Sequence, residues 1–169
     1  MLFKNALEVE VPPKYNNLLL TDYSNKTNNT RIIVFSSVEA RQITCESKEF
    51  YGDGTLRSCP STFVQLYTIH VDTGSTINHT NITPVIYALM TNKTMQSYLI
   101  LFQMIRSQLP EWNPTKFKLD YEKAAINAII KVFPTVIIKG CYYHYNKAKR
   151  KKPEYDLTNV TRFEGGANN

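Results

Sequence analysis

Phe63-Val64-Gln65-Leu66-Tyr67-Thr68-Ile69-His70 carries apolar or aromatic side chains on both of its alternating sets of positions. A strand apolar on both sides is covered on both sides, which places it inside a sheet. Upstream, Glu49-Phe50-Tyr51-Gly52-Asp53 predicts a second strand, ending at the turn signal Asp53-Gly54. Downstream, beyond the polar loop 72–81, Val85-Ile86-Tyr87-Ala88-Leu89-Met90 predicts a third. Connections this short make the three an antiparallel meander.

The period then changes. Met95, Tyr98, Leu99, Phe102, Ile105 and Leu109 fall on one helical face, with Thr94 as cap and Pro110 as stop. Phe117-Lys118-Leu119-Asp120 predicts a short strand. Residues 122–133 form a second helix, whose Ala124, Ala125, Ala128 and Ile129 allow close packing and which Pro134 ends. Val136-Ile137-Ile138 supplies a fifth strand. Right-handed crossovers make the fourth strand parallel to the first and the fifth parallel to the fourth. The simplest arrangement is α/β, a mixed five-stranded sheet of order 3-2-1-4-5 with flanking helices. Ahead of it, the runs at 18–20 and 31–35 across the polar stretch 24–30 predict a short β-hairpin. Ser36 or Ser37 then caps a short helix reaching Ile43, with Val38 and Ile43 facing inward. The expected division is a lead-in and hairpin at 1–44, a domain at 45–150 and a disordered tail at 151–169.

The chain has 169 residues, 43% of them hydrophobic, enough to build a core and too many for a disordered polymer. No apolar run reaches the roughly 18 residues of a membrane span; the nearest, at 98–105, is far shorter. Cys45, Cys59 and Cys141, with no secretory leader in the charged N-terminus, suggest reduced thiols. Glycosylation sequons begin at Asn25, Asn28, Asn78, Asn81, Asn92 and Asn159, as a secreted glycoprotein or a chain merely rich in Asn and Thr would show.

In the expected sheet the first and fourth strands are parallel neighbours, and Asp53 and Asp120 end them. Adjacent strands lie about 4.8 Å apart, so both carboxylates leave one rim where the connection direction reverses. Two close carboxylates call for a neutralising partner, and a hard divalent cation such as Mg²⁺ or Mn²⁺ supplies it. A structural alternative stays open: Asp53 opening an Asp-Gly turn and Asp120 capping the next helix.

Several segments in order carry a family resemblance: Tyr51-Gly52-Asp53-Gly54-Thr55, Phe63 to His70, Pro84-Val85-Ile86-Tyr87-Ala88-Leu89, Asp120-Tyr121-Glu122-Lys123-Ala124-Ala125-Ile126-Asn127-Ala128 and Gly140-Cys141-Tyr142-Tyr143-His144. Over roughly residues 31–150 the chain resembles the transposase domain of Mutator-like elements (MULE) and their domesticated, host-encoded relatives. The resemblance implies an RNase H-like fold and a DDE triad that uses divalent metal to cut and rejoin DNA. It makes Asp53 the first acid and Asp120 the second, both metal ligands, and matches Cys141 and His144 to the family's C-x-x-H motif.

The family's third acid is a glutamate on a helix far downstream, and this sequence stops at Asn169, so the resemblance implies a C-terminally truncated domain. Glu154 and Asp156 are unsuitable substitutes beside the helix-breaking Pro153, and Glu164 sits in the expected tail. Without a third ligand, metal binding should be weak and strand transfer absent. Cys141 and His144 are too few for structural zinc, which takes four ligands. They remain open between a local role of the family's kind and a buried thiol beside a backbone-bonded histidine.

Lys147, Lys149, Arg150, Lys151 and Lys152 form the densest charge run, suited to DNA phosphates or to nuclear import, or else to a solvated helix face. Tyr142, Tyr143 and Tyr145 suit base stacking or packing on the sheet edge. The net charge of +6 agrees with an anionic partner such as DNA. The leading expectation is a nuclear transposase-domain fragment with an incomplete site. The main alternative is a domesticated domain that binds DNA or protein without chemistry. Nothing in the sequence specifies an oligomeric state.

Overall fold

A computed structural model describes residues 5–55, 58–120 and 122–140. After two short 3-10 helices, Ala6–Glu8 and Pro13–Tyr15, the strands are β1 (Leu19–Asn25), β2 (Thr30–Phe35), β3 (Glu49–Thr55), β4 (Gln65–Asp72), β5 (Ile82–Met90), β6 (Lys116–Leu119) and β7 (Ile137–Gly140). The α-helices are α1 (Val38–Glu46), α2 (Met95–Gln108) and α3 (Lys123–Val132). All seven strands join one mixed sheet in the spatial order β1-β2-β5-β4-β3-β6-β7. The β3–β6 and β6–β7 pairs are parallel, and the other pairs are antiparallel.

The sheet corrects the five-stranded expectation. The hairpin β1–β2 does not precede the sheet but extends it, because β2 pairs with β5 from Ile32↔Met90 to Phe35↔Tyr87. Burial explains why. Ile32, Ile33 and Val34 are covered on both faces, which a detached hairpin could not achieve.

The two faces are dressed differently. Ala40 and Ile43 of α1, Tyr98, Leu101 and Phe102 of α2, and Ala125, Ala128 and Ile129 of α3 all pack into the main core. That core takes Ile32 and Val34, Phe50, Tyr67 and Ile69, and Phe117 and Leu119 from one face of the sheet. The opposite face is covered at its β1–β2–β5 end, where Ala6 and Phe63 pack with Ile33, and Phe35 and Leu89 join them. Arg31 ties that cover down: it forms a two-pronged ion pair with Asp22 (2.9 and 2.7 Å) and donates to the carbonyls of Ala6 and Leu7.

Local signals place the helix starts. Ser37, rather than Ser36, caps α1 by accepting from the Ala40 amide, while Ser36 donates across to the Val85 carbonyl. Thr94 caps α2 through the Ser97 amide, as its position predicts. Val38, expected inward, is 66% exposed, because it lies five residues from Ile43, about 140° around the helix, and Ala40 and Ile43 take the core-facing side. Trp112 is fully buried between Phe50, Phe102 and Phe133, its ring centroid 4.9 Å from that of Phe133. It pins the loop between α2 and β6 to the core.

Candidate active site at the parallel strand ends

Asp53 lies inside β3, with Thr68 as its β4 partner, and Gly54 beyond it pairs with Tyr67. The Asp-Gly pair is therefore strand and not a turn, contrary to the sequence signal. Gly54 is accepted there because Tyr67 and Gln65 occupy the space above it. Asp120 follows β6 immediately. The last registered pair between the two parallel strands is Gly52↔Leu119, so Asp53 and Asp120 are the next step on each. Glu122, not Asp120, is the N-terminal cap residue of α3, and no side chain caps that helix. The turn-and-cap alternative for the two aspartates does not describe this structure.

Alternation settles the face. Phe50 and Phe117 stack in the core at 5.7 Å, and Gly52 and Leu119 are buried beside them. Asp53 and Asp120 fall on the other set of positions, half-buried, on the face that carries no α-helix among the described residues. Asp53 Oδ2 accepts from Thr55 Oγ1 at 3.2 Å, and the Asp53 carbonyl accepts from Thr68 Oγ1.

Behind this rim, on the helix-bearing face, is a buried polar relay that the sequence reading missed. Gln65 Nε2 donates to the Tyr98 hydroxyl at 2.6 Å, and that hydroxyl donates to Glu122 Oε2 at 2.8 Å. Burial pushes the Glu122 carboxyl above its ordinary range, and the Asp120 charge adds to this; the bond from Tyr98 and the Lys93 charge oppose it. Burial also raises the Tyr67 hydroxyl, and the charges of Tyr98, Asp120, Glu122 and Asp53 add to the shift. The available signal was a glutamine at an inward position of an otherwise apolar strand, where a buried amide needs partners.

Gly52 is required by packing. A Cβ there would overlap the Tyr67 hydroxyl and lie 3.1 Å from Tyr67 Cζ and 3.2 Å from Phe117 Cε1. The Tyr67 hydroxyl itself finds no hydrogen-bond partner among the described residues.

As possible metal ligands, Asp53 and Asp120 offer hard carboxylate oxygens at one rim, a donor set suited to Mg²⁺ or Mn²⁺ when substrate oxygens complete the shell. Among the described residues no group of three or more His, Cys, Asp or Glu side chains has metal-holding geometry. Cys141, His144, Lys147, Lys149, Arg150, Lys151 and Lys152 lie outside the described residues, as do Tyr142, Tyr143 and Tyr145. A surface groove of about 370 Å³ lies elsewhere, lined by Gln103, Arg106, Ser107, Lys131 and Val132 of α2 and α3.

The described residues form a mixed α/β domain whose acids leave two adjacent parallel strands at the point where the connection direction reverses. The family model of the MULE transposase domain matches residues 51–148, more than half of the chain, and the chain belongs to that family. It is a Mutator-like, transposase-derived domain. No curated protein and no solved structure matches it. No described helix is long and apolar enough to cross a membrane.

Proposed function

We propose that this is an RNase H-like domain in which Asp53 and Asp120 are the first two acids of a DDE-type site acting on DNA phosphodiesters in the nucleus. The observation carrying this reading is the register: the two aspartates are consecutive steps beyond Gly52↔Leu119 on parallel strands. Both project from the face free of described helices, where a polymer can approach. A divalent Mg²⁺ or Mn²⁺ at such a pair supplies charge neutralisation at the phosphate and activation of the attacking oxygen. The protein's own part is to hold two carboxylates at fixed spacing on strand backbone, with Thr55 orienting Asp53. The reading also holds that these residues bind metal weakly and do not complete strand transfer by themselves.

The test is Mn²⁺ binding by calorimetry, and Mn²⁺-dependent nicking of supercoiled DNA, in the wild-type chain and in Asp53→Ala/Asp120→Ala. The expected result is weak Mn²⁺ binding that the double substitution abolishes. Unchanged Mn²⁺ binding in the double variant overturns the assignment. DNA binding that persists unaltered, with no metal effect in either protein, favours the alternative of a domesticated domain that keeps the scaffold without the chemistry.

A further inference from the structure

The strand registers arrange side chains in rows across the face that carries no helix among the described residues. Lys139 of β7, Lys118 of β6, Tyr51 of β3 and His70 of β4 form one row, since Lys118 pairs with Lys139 and with Tyr51, and Tyr51 with His70. The next row toward the rim holds Asp120, Asp53, Thr68 and Tyr87. Two residues along a strand separate the rows, about 6.6 Å.

The basic row is built rather than incidental. Lys118 Nζ donates to the Tyr51 hydroxyl at 3.1 Å and stands 4.7 Å over the ring centroid. Its nearest carboxylate oxygen, Glu49 Oε2, is 3.9 Å away, and Glu49 is already engaged by Lys116. Lys139 makes no ion pair among the described residues. Lys118 is thus held in place by one hydrogen bond and one long ion pair, and among the described residues it keeps donor capacity beyond them.

We propose that Lys139, Lys118 and Tyr51 form a track for the phosphate backbone of a nucleic-acid strand, laid beside the two aspartates. This rests on the functional reading above and names residues that position its substrate. Charge complementarity selects the occupant and adds a condition. On this face Lys116, Lys118 and Lys139 are balanced by Glu49, Asp53 and Asp120, and Asp72 adds a further negative charge at the far end of β4. The face gains a positive surplus only when the aspartates are neutralised. Metal and nucleic acid therefore reinforce each other's binding, as reciprocal coupling requires.

Anisotropy of a fluorescein-labelled single-stranded and duplex oligonucleotide, titrated with the full chain across a salt series in Mn²⁺ and in EDTA, tests the track. Each phosphate contact contributes about 0.7 (single strand) to 0.9 (duplex) to the slope of log affinity against log salt. Lys118→Gln/Lys139→Gln should lower that slope by about 1.4 to 1.8, and Lys139→Gln, which disturbs no described contact, by half as much. Asp53→Asn/Asp120→Asn should bind DNA more tightly than wild type in EDTA and lose the Mn²⁺ effect. Wild-type DNA binding whose slope is unchanged by Lys139→Gln and by the double lysine variant overturns the track and leaves the functional reading standing. Absence of DNA binding by wild type in both buffers overturns both. Polyglutamate competing as well as DNA overturns the choice of nucleic acid as occupant. Thermal melts of each variant separate loss of folding from loss of contact, and if the double variant unfolds, Lys139→Gln decides.

Discussion

The Tyr98 hydroxyl, buried on α2, donates to Glu122 Oε2 at 2.8 Å and so ties the start of α3 to the helix packed beside it. Because α3 has no side-chain cap, this bond and the Gln65 bond behind it are the polar anchors described at that helix start. Asp120 follows β6 two residues before this anchor, its place set by the β3–β6 register.

Removing the hydroxyl without changing the ring's packing isolates that anchor. Tyr98→Phe leaves a half-buried carboxylate oxygen and a buried amide short of a partner, which costs about 1–3 kcal/mol. Urea unfolding followed by Trp112 fluorescence measures it, since Trp112 is the chain's one tryptophan and is fully buried. An unchanged midpoint would show the relay to be energetically idle.

The Tyr67 hydroxyl presents the opposite case, a buried polar group without a described partner. Tyr67→Phe should therefore be neutral or stabilising, because it deletes an unsatisfied group at almost constant volume. Gly52→Ala should destabilise by about 1–3 kcal/mol through overlap with that hydroxyl. Combining the two should recover part of the loss, a non-additivity expected of groups in contact. Strict additivity in the double-mutant cycle would refute the overlap.

Trp112 should be the costliest single truncation. Trp112→Ala removes a ring packed against three others and should cost about 3–5 kcal/mol. Trp112→Phe should cost much less, since the indole Nε1 donates to no described group. Thermal melts followed by circular dichroism compare the two, and equal losses would contradict the packing assignment.

Burial holds the His70 imidazole below its ordinary value of 6.5, although the Tyr51 carbonyl and the Asp53 charge pull the other way. As pH falls through 6.5 the unfolded chain takes up this proton first, so folding stability that is full at higher pH is lost down to the folded value. His70→Gln should flatten this dependence. Urea midpoints between about pH 5 and pH 8 for both proteins check it, and parallel profiles would exclude His70 as the source.

Metal should act as a folding ligand if the paired aspartates hold it. At a hundredfold excess over its dissociation constant a site-specific ligand adds about 2.7 kcal/mol. Mn²⁺ should accordingly raise the melting temperature of wild type and leave that of Asp53→Asn unchanged. Equal shifts in both proteins would place the ion elsewhere.

Much of this protein was legible in its residues. Alternating and helical periodicities located the strands from Glu49 to Gly140 and the helices α2 and α3, and the polar punctuation around Thr94, Pro110 and Pro134 bounded them. These signals are local, since which side of an element is apolar is written within it. The ordered motifs from Tyr51 onward identified the family.

Tertiary structure alone decided what depends on contacts across distance in the chain. The Asp53-Gly54 turn signal yielded to strand pairing, because Thr68 and Tyr67 on β4 complete a ladder that a turn would break. The hairpin at Leu19–Phe35 became part of the sheet because Ile32 and Val34 needed β5 and the helices to bury them. Gln65, Tyr98 and Glu122 meet across 57 residues of sequence, and Lys118 meets Tyr51 across 67. Hydrogen bonds and charge rows of this kind have no period, so only the register of neighbouring strands and the packing of α2 against α3 could bring them together.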